Sequence, residues 1–325
     1  MKSFEYASPQ TKEDAVKLLG SESVALAGGT DILNLMKDYV STPQRLVNLK
    51  TVEELGGIRD DSGGGVRIGA LVTLDEMLAS DRIKREYPAI WGLSERMGGP
   101  QIRSVGTVGG NLCQRPRCWY YRNGFGLLAL RNGKSMVLEG DDRYHAVLGN
   151  EGPAYFVSPS TLAPALIALD SQVRLFGPNG AREVRLEDFY VIPKADGENE
   201  FVLQPNEIVT EVIVPSASNR KNAIYEVRQR QGLDWPLVSA AVSLEMDGNQ
   251  VRNARVVLGQ VAPKPWVASD AQSFLSGKSI SAEVAEQAGE AAVRGATALN
   301  KNAYKIRLAR VAVKRALLRA TGTEV

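Results

Sequence analysis

Two turns with adjacent glycines, Ala27-Gly28-Gly29-Thr30-Asp31 and, about eighty residues later, Thr107-Val108-Gly109-Gly110-Asn111, constrain the chain more than any other feature. Each follows a segment of strand character, Ser23 to Leu26 and Arg103 to Val105, and so reads as a turn at a strand end. Adjacent glycines open conformations that other residues avoid and let a ligand lie directly against main-chain N–H groups. Such a nest of N–H groups suits a pyrophosphate. Thr30, Thr107 and Asn111 add side-chain donors to the same surface. Either turn alone is ordinary turn chemistry. The pair, brought together, could grip a dinucleotide from both sides. Neither is a Walker motif, since no Gly-Lys-Ser/Thr follows, and neither has the spacing of the nicotinamide fingerprint. The expectation is a flavin fold other than the Rossmann fold.

Composition narrows the partners. The net charge is +2, from 39 basic and 37 acidic residues interspersed along the chain, which leaves no electrostatic footprint for nucleic acid. No run of eighteen uncharged apolar residues occurs, and the segment from Met1 to Gly20 lacks the apolar core of a secretory signal, so no membrane span is expected and the cytoplasm is the default compartment. The two cysteines, Cys113 and Cys118, fit a reducing environment.

Three units follow from the punctuation, at residues 1–60, 61–217 and 218–325. In the first, a helix capped by Thr11 and ended by Gly20, a strand, a helix from Ile32 to Tyr39 and a strand from Arg45 to Leu49 alternate as in a small α/β unit. Asp61-Ser62-Gly63-Gly64-Gly65 closes it. The second unit has a strand from Val66 to Leu71, a capping box at Thr73 to Glu76 opening a helix toward Arg85, and a helix from Pro88 to Met97. It continues with a hairpin around Gly177-Pro178-Asn179-Gly180 and a strand from Glu207 to Val214, whereas Ala163 to Leu169 reads equally as helix or strand. The third opens with a strand from Ala223 to Gln229. A hairpin around Asp247-Gly248-Asn249 and helices over Ala282–Leu299 and Tyr304–Arg319 complete it. The last helix carries Ile306, Ala309, Val313, Ala316, Leu317 and Ala320 on one face and Arg307, Arg310 and Lys314 on the other, a basic face that is either solvated or a docking surface.

The chemistry on offer is sparse. His145 is the only histidine, too few for a triad or a zinc site, and two cysteines cannot complete an iron–sulfur cube. Cys113-Gln114-Arg115-Pro116-Arg117-Cys118-Trp119-Tyr120-Tyr121-Arg122 crowds arginines and aromatics beside a dinucleotide turn, and could line a flavin's approach or form a subunit contact.

These residues, with Ile68-Gly69-Ala70, Ile102 to Asn111, Ser158 to Leu169, Arg228 to Val242 and the helical tail in the same order, resemble the FAD-binding medium subunits of the molybdenum hydroxylases. That family includes xanthine dehydrogenase, carbon monoxide dehydrogenase, aldehyde oxidoreductase and 4-hydroxybenzoyl-CoA reductase. The resemblance spans essentially the whole chain. It implies an α+β protein: a flavin fold of the vanillyl-alcohol-oxidase (PCMH) type in two α/β subdomains, then a C-terminal domain of a small antiparallel sheet with helices. It implies non-covalent FAD, with Ala27, Gly28, Gly29, Thr30, Asp31 and Ile32 on one side and Gly106, Thr107, Gly109, Gly110 and Asn111 on the other holding its diphosphate and ribityl groups. The oxidoreductase so implied is an electron-transfer subunit. Its partners would be a molybdopterin-binding large subunit and a small subunit with [2Fe–2S] clusters, in a heterotrimer or a dimer of heterotrimers.

Three departures from the family stand out. Thr161 replaces an acidic flavin contact, and Glu226 stands where relatives place a lysine. The segments Cys118 to Arg122 and Arg143 to Gly149 resemble the borders of a loop that carries a [4Fe–4S] cluster in some members, here without its ligands, so no cluster is expected in this chain. Phe125, Leu127, Leu128 and Leu130 are the apolar residues available to pack that loop. A self-contained flavin oxidoreductase of the same fold and a flavin-free assembly scaffold are the alternative functions.

Overall fold

A parallel sheet begins the chain. The computed structural model describes residues 1–231 and 234–323. Strands β1 (Glu5–Ala7), β2 (Ser23–Leu26) and β3 (Arg45–Asn48) order as β1-β3-β2, with helix α1 (Lys12–Leu18) between β1 and β2 and α2 (Ile32–Lys37) between β2 and β3. Thr11 caps α1 by accepting from Asp14 N, as its position in the sequence predicts. Leu26, Met36 and Leu46 close a small core on this sheet.

The second sheet is antiparallel throughout. It takes β4 (Ile58–Asp60) and β5 (Val66–Gly69), and later β8 (Gln172–Gly177), β9 (Gly180–Arg185) and β10 (Ile208–Val214), in the order β4-β5-β10-β8-β9. After β5 the capping box forms in full, with Thr73 and Glu76 exchanging bonds. The helix expected to run on toward Arg85 breaks at Ser80 into α3 (Leu74–Ala79) and α4 (Asp81–Glu86), because Ser80 is extended and caps α4 through Ile83 N. Next come α5 (Pro88–Arg96), α6 (Pro100–Arg103), α7 (Val108–Leu112) and α8 (Trp119–Arg122). A corrected expectation lies here: Arg103 to Val105 forms no strand, since Pro100 starts a helical turn that runs to Arg103. A short hairpin of β6 (Leu130–Arg131) and β7 (Lys134–Ser135) leads into α9 (Met136–Glu139).

The segment left open between helix and strand is a helix, α10 (Leu162–Ala168), buried at every position. Periodicity cannot reveal that, because burial on all sides erases the amphipathic signal. It packs against α5, α7 and the C-terminal sheet, within a core that runs from Val66 and Leu93 through Leu166 to Ala241 and Val257. The helical turn α11 (Leu186–Phe189) follows β9.

The last sheet is a meander, β11 (Arg220–Val227), β12 (Val238–Asp247), β13 (Gln250–Gly259) and β14 (Trp266–Val267), turned between β12 and β13 by Gly248 at φ 56°. Helices α12 (Ser269–Leu275), α13 (Ala282–Ala292) and α14 (Tyr304–Ala320) cover it. The basic face of α14 is partly spent within the chain: Arg310 pairs with Glu290, and Lys314 lies 2.9 Å from Glu286, both on α13. Its apolar face holds a surprise in Lys305, 1% exposed, whose Nζ donates to the carbonyls of Tyr144, His145 and Gln260 at 3.1, 3.1 and 2.6 Å. Burial pulls its pKa down to about 7. None of the helices among the described residues is long and apolar enough to cross a membrane.

Candidate functional site: a cleft built from two glycine turns

At the end of β2 the chain turns through Ala27 to Thr30 before entering α2. Gly29 has φ +76°, the left-handed region that glycine supplies without strain. Gly28 meets a different demand. A Cβ there would collide with the carbonyl oxygen of Val105, so the first turn lies backbone to backbone on the approach to the second. The N–H groups of Gly28, Gly29 and Thr30 donate to no backbone carbonyl among the described residues. They are left for a ligand.

The second turn is the start of α7. Thr107 is its N-cap, accepting from Gly110 N at 3.0 Å. Val108 N and Gly109 N donate to the carbonyls of Val72 and Ala70 at 2.9 and 2.8 Å, and Leu74 N donates to the Gly106 carbonyl at 3.0 Å. Gly109 allows this closeness, since a Cβ would stand 2.9 Å from that of Ala70. Asn111 Nδ2 donates to Thr161 Oγ1 at 3.0 Å, while its Oδ1 accepts from Ser160 Oγ and Leu162 N at 2.9 and 3.1 Å. The Asn111 side chain, expected as a donor to a ligand, is committed to the frame, tying α7 to the start of α10, whereas Thr107 caps α7 through its oxygen and has no acceptor for its O–H among the described residues. Thr30 alone of the three is exposed at the cleft.

Between the turns opens a cleft of about 740 Å³, within the range of small-molecule and cofactor sites. Ala27, Gly28, Gly29, Thr30, Asp31, Ile32, Gly106, Thr107, Gly109, Gly110, Asn111 and Thr161 all line it. Glu226 does not. It is buried beneath Arg228, which donates to its Oε1 at 2.8 Å, and it is Arg228 that reaches the cleft wall. The sequence named Glu226 where the structure puts Arg228 among the lining residues, because two residues on one face of the chain differ only in which end of the strand meets the cavity.

Asp31 lines the cleft and also anchors its rim. Its carboxylate accepts from Arg115 N and from Arg122 Nη2, each at 2.7 Å, and pairs with Arg117. Burial would raise its pKa, but Arg117, the Arg115 N–H and Arg122 prevail and hold it below the ordinary carboxyl value. The arginines of the 113–122 segment thus turn inward to fasten that segment to the first turn. Arg117 stacks 4.4 Å from the ring centre of Trp235, a half-exposed residue at the rim, and Arg115 Nε lies 2.7 Å from Glu200, whose burial raises its pKa. Arg228 and Trp235 lie in a stretch read only as part of the family resemblance, without a role, and Glu200 went unread in the sequence.

The cysteines stand apart from metal chemistry in their surroundings. Burial pushes Cys113 up to about 12 and also raises Cys118. Cys118 Sγ lies 3.2 Å from His145 Nε2, and burial, with Lys305 nearby, draws His145 down to about 4, so the imidazole is neutral at pH 7. No group of three or more metal-binding side chains occurs among the described residues. Leu128 is buried here with Ala154 and Phe156, and Leu127, Leu130 and Cys118 pack on them. Phe125, expected to join them, is 40% exposed.

The open N–H groups of the first turn, the absence of side chains at Gly28 and Gly109, and the mixed polar and apolar lining fit a dinucleotide whose diphosphate lies at the turns. The fold and cleft together define a subunit with a dinucleotide-sized cleft and a helix-covered C-terminal sheet. Residues 2–217 match the family model for the FAD-binding domain in molybdopterin dehydrogenase, and residues 223–320 match the CO dehydrogenase flavoprotein C-terminal domain. The chain belongs to this family of FAD-binding medium subunits of the molybdenum hydroxylases. It is 35% identical to the aldehyde oxidoreductase FAD-binding subunit of Escherichia coli, over 84% of this chain and 86% of that one. It is 29% identical to the carbon monoxide dehydrogenase medium chain of Hydrogenophaga pseudoflava, over 97% and 96%. A solved structure of carbon monoxide dehydrogenase from that organism superposes with a TM-score of 0.78 at 26% identity, covering 100% of this chain and 99% of that one.

Proposed function

We propose that the chain holds FAD non-covalently in the cleft between the two glycine turns and serves as the electron-transfer subunit of a molybdenum hydroxylase complex. The observation that carries this reading is the convergence of both turns on one cavity, with the N–H groups of Gly28 to Thr30 left unpaired at its wall. When bound, FAD supplies the chemistry of accepting and passing on electrons. The chain's own residues bind and orient it: the first turn offers backbone donors to the diphosphate, α7 and the Asn111 tie hold the opposite wall, and the Asp31 arginine cluster fixes the rim. Substrate oxidation belongs to a molybdopterin-binding large subunit, and electrons arrive through [2Fe–2S] clusters of a small subunit, in a heterotrimer or a dimer of heterotrimers. No iron–sulfur cube is expected in the chain, because it offers only two thiols, Cys113 and Cys118, with His145 beside Cys118, short of the four ligands a cube needs.

Purification of the chain with and without its partners tests this. The isolated chain releases FAD into the supernatant on acid precipitation, contains no iron or acid-labile sulfide, and oxidises no aldehyde or purine by itself. Turnover of such a substrate by the single chain would point to a self-contained oxidoreductase, and a colourless chain within an active complex would point to a scaffold.

A further inference from the structure

A second cavity, of about 650 Å³, opens between α5, the start of β11 and the end of α14, and shares no lining residue with the glycine-turn cleft. Its size is that of a small-molecule site. Asn222, buried on β11, accepts from Ala89 N at 3.0 Å and donates to the Glu86 carbonyl at 3.2 Å, which pins the junction of α4 and α5 to the sheet and fixes the walls. Charge sets this cavity apart. Arg85, Arg96, Arg220, Lys221 and Arg319 line it, against Glu86 and Glu95 as the only lining carboxylates. Arg220 is spent on Asp170 and Glu245, each at 2.7 Å, and Arg85 lies 3.0 Å from Glu86. Arg96, Lys221 and Arg319 have no ion-pair partner among the described residues, since Glu226, which feels both arginines, is already paired with Arg228.

Arg319 is held in place: Nη1 donates to the Ile224 carbonyl at 2.7 Å, and the guanidinium carbon lies 4.9 Å from the ring centre of Tyr225. Burial, and then the charge of Arg96, draws its pKa below the ordinary value. Each of these two arginines occupies the last turn of its helix, where the carbonyl end favours a cation, and that explains each alone. It does not explain their convergence. Like charges brought to one cavity without a carboxylate between them repel, and an anion entering there relieves the repulsion. A concave surface of one sign also gathers counter-ions, and arginine grips phosphate or carboxylate through two parallel N–H bonds.

We propose that this cavity is a binding site for a small anion bearing phosphate or carboxylate groups, with Arg96 and Arg319 as its principal contacts and the exposed Lys221 beside them. The site is separate from the glycine-turn cleft, so the proposal goes beyond the FAD reading and does not rest on it.

Calorimetric titration of the purified chain with pyrophosphate and, separately, with citrate tests this, at constant ionic strength and with one equivalent of FAD present to fill the glycine turns. At least one of the two anions should bind with a Kd below about 1 mM, and the tighter one tells whether phosphate or carboxylate is the preferred group. Arg96→Met and Arg319→Met should each weaken that binding by roughly tenfold, and Glu95→Gln should tighten it by about threefold. Lys221→Gln, a change at an exposed side chain that spares the fold, should weaken it by about threefold, whereas Arg294→Met, outside the cavity, should leave it unchanged. Kd values above about 1 mM for both anions overturn the proposal, as do folded Arg96→Met and Arg319→Met chains that stay within about twofold of the parent. Unchanged anion affinity in those two variants, together with weaker co-purification of partner subunits, would assign the cations to a subunit contact instead.

Discussion

The two glycine turns look alike in the sequence and do opposite work in the fold. The first keeps its N–H groups open, and its glycines serve a left-handed backbone at Gly29 and contact with Val105 at Gly28. The second has nearly all its donors engaged, by Val72, Ala70 and the Thr107 cap, and its glycine at 109 serves helix-to-strand contact. On the proposed reading, one turn is a binding surface and the other is the wall it closes against. The same dipeptide therefore says only that a Cβ would be in the way, not what it would obstruct.

The largest expected difference separates Gly28→Ala from Gly110→Ala. At Gly28 the new methyl strikes backbone, so the turns must part: flavin is lost and stability falls by about 3 kcal/mol. At Gly110 it meets only the Thr107 hydroxyl, 2.9 Å away, and the cost is about 1 kcal/mol with flavin retained. Acid-released FAD per chain and urea unfolding of both variants decide the matter, and equal losses would erase the distinction between the turns.

Asp31→Asn comes next, at about 2 kcal/mol, below the usual cost of unpairing a buried charge because the cluster is partly open to water. Since the folded carboxyl titrates below its unfolded value of about 4, its contribution is present above that pH and disappears as the pH falls through the folded value. A parent-minus-variant stability difference that shrinks below pH 4 is the expected signature; a constant difference would mean that Asp31 acts through shape alone.

Asn111→Ala removes the tie between α7 and α10 and should cost about 2 kcal/mol, with weaker flavin retention during dialysis as the wall loosens. The smallest contrast pairs the two threonines. Thr107→Ala loses a helix cap, about 1 kcal/mol by thermal unfolding, whereas exposed Thr30→Ala should change stability by less than about 0.5 kcal/mol and register only in flavin affinity. A larger stability loss at Thr30 than at Thr107 would reverse the roles given to the turns.

Much of this was legible beforehand where short-range rules govern. Thr11 and the Thr73–Glu76 box cap their helices, Gly248 turns its hairpin, and Tyr304 to Arg319 is helical, because these features depend on residues three or four apart. The family order of motifs carried the rest of the fold and the cofactor. Tertiary structure alone decided what long-range packing controls. It made a helix of Leu162 to Ala168, buried Lys305 on three carbonyls, and turned Arg115, Arg117 and Arg122 inward onto Asp31. It also put Arg228 rather than Glu226 at the cleft. Residues distant in sequence supply the partners in each case, and a charged side chain goes where a partner can offset its lost hydration, which no local pattern records.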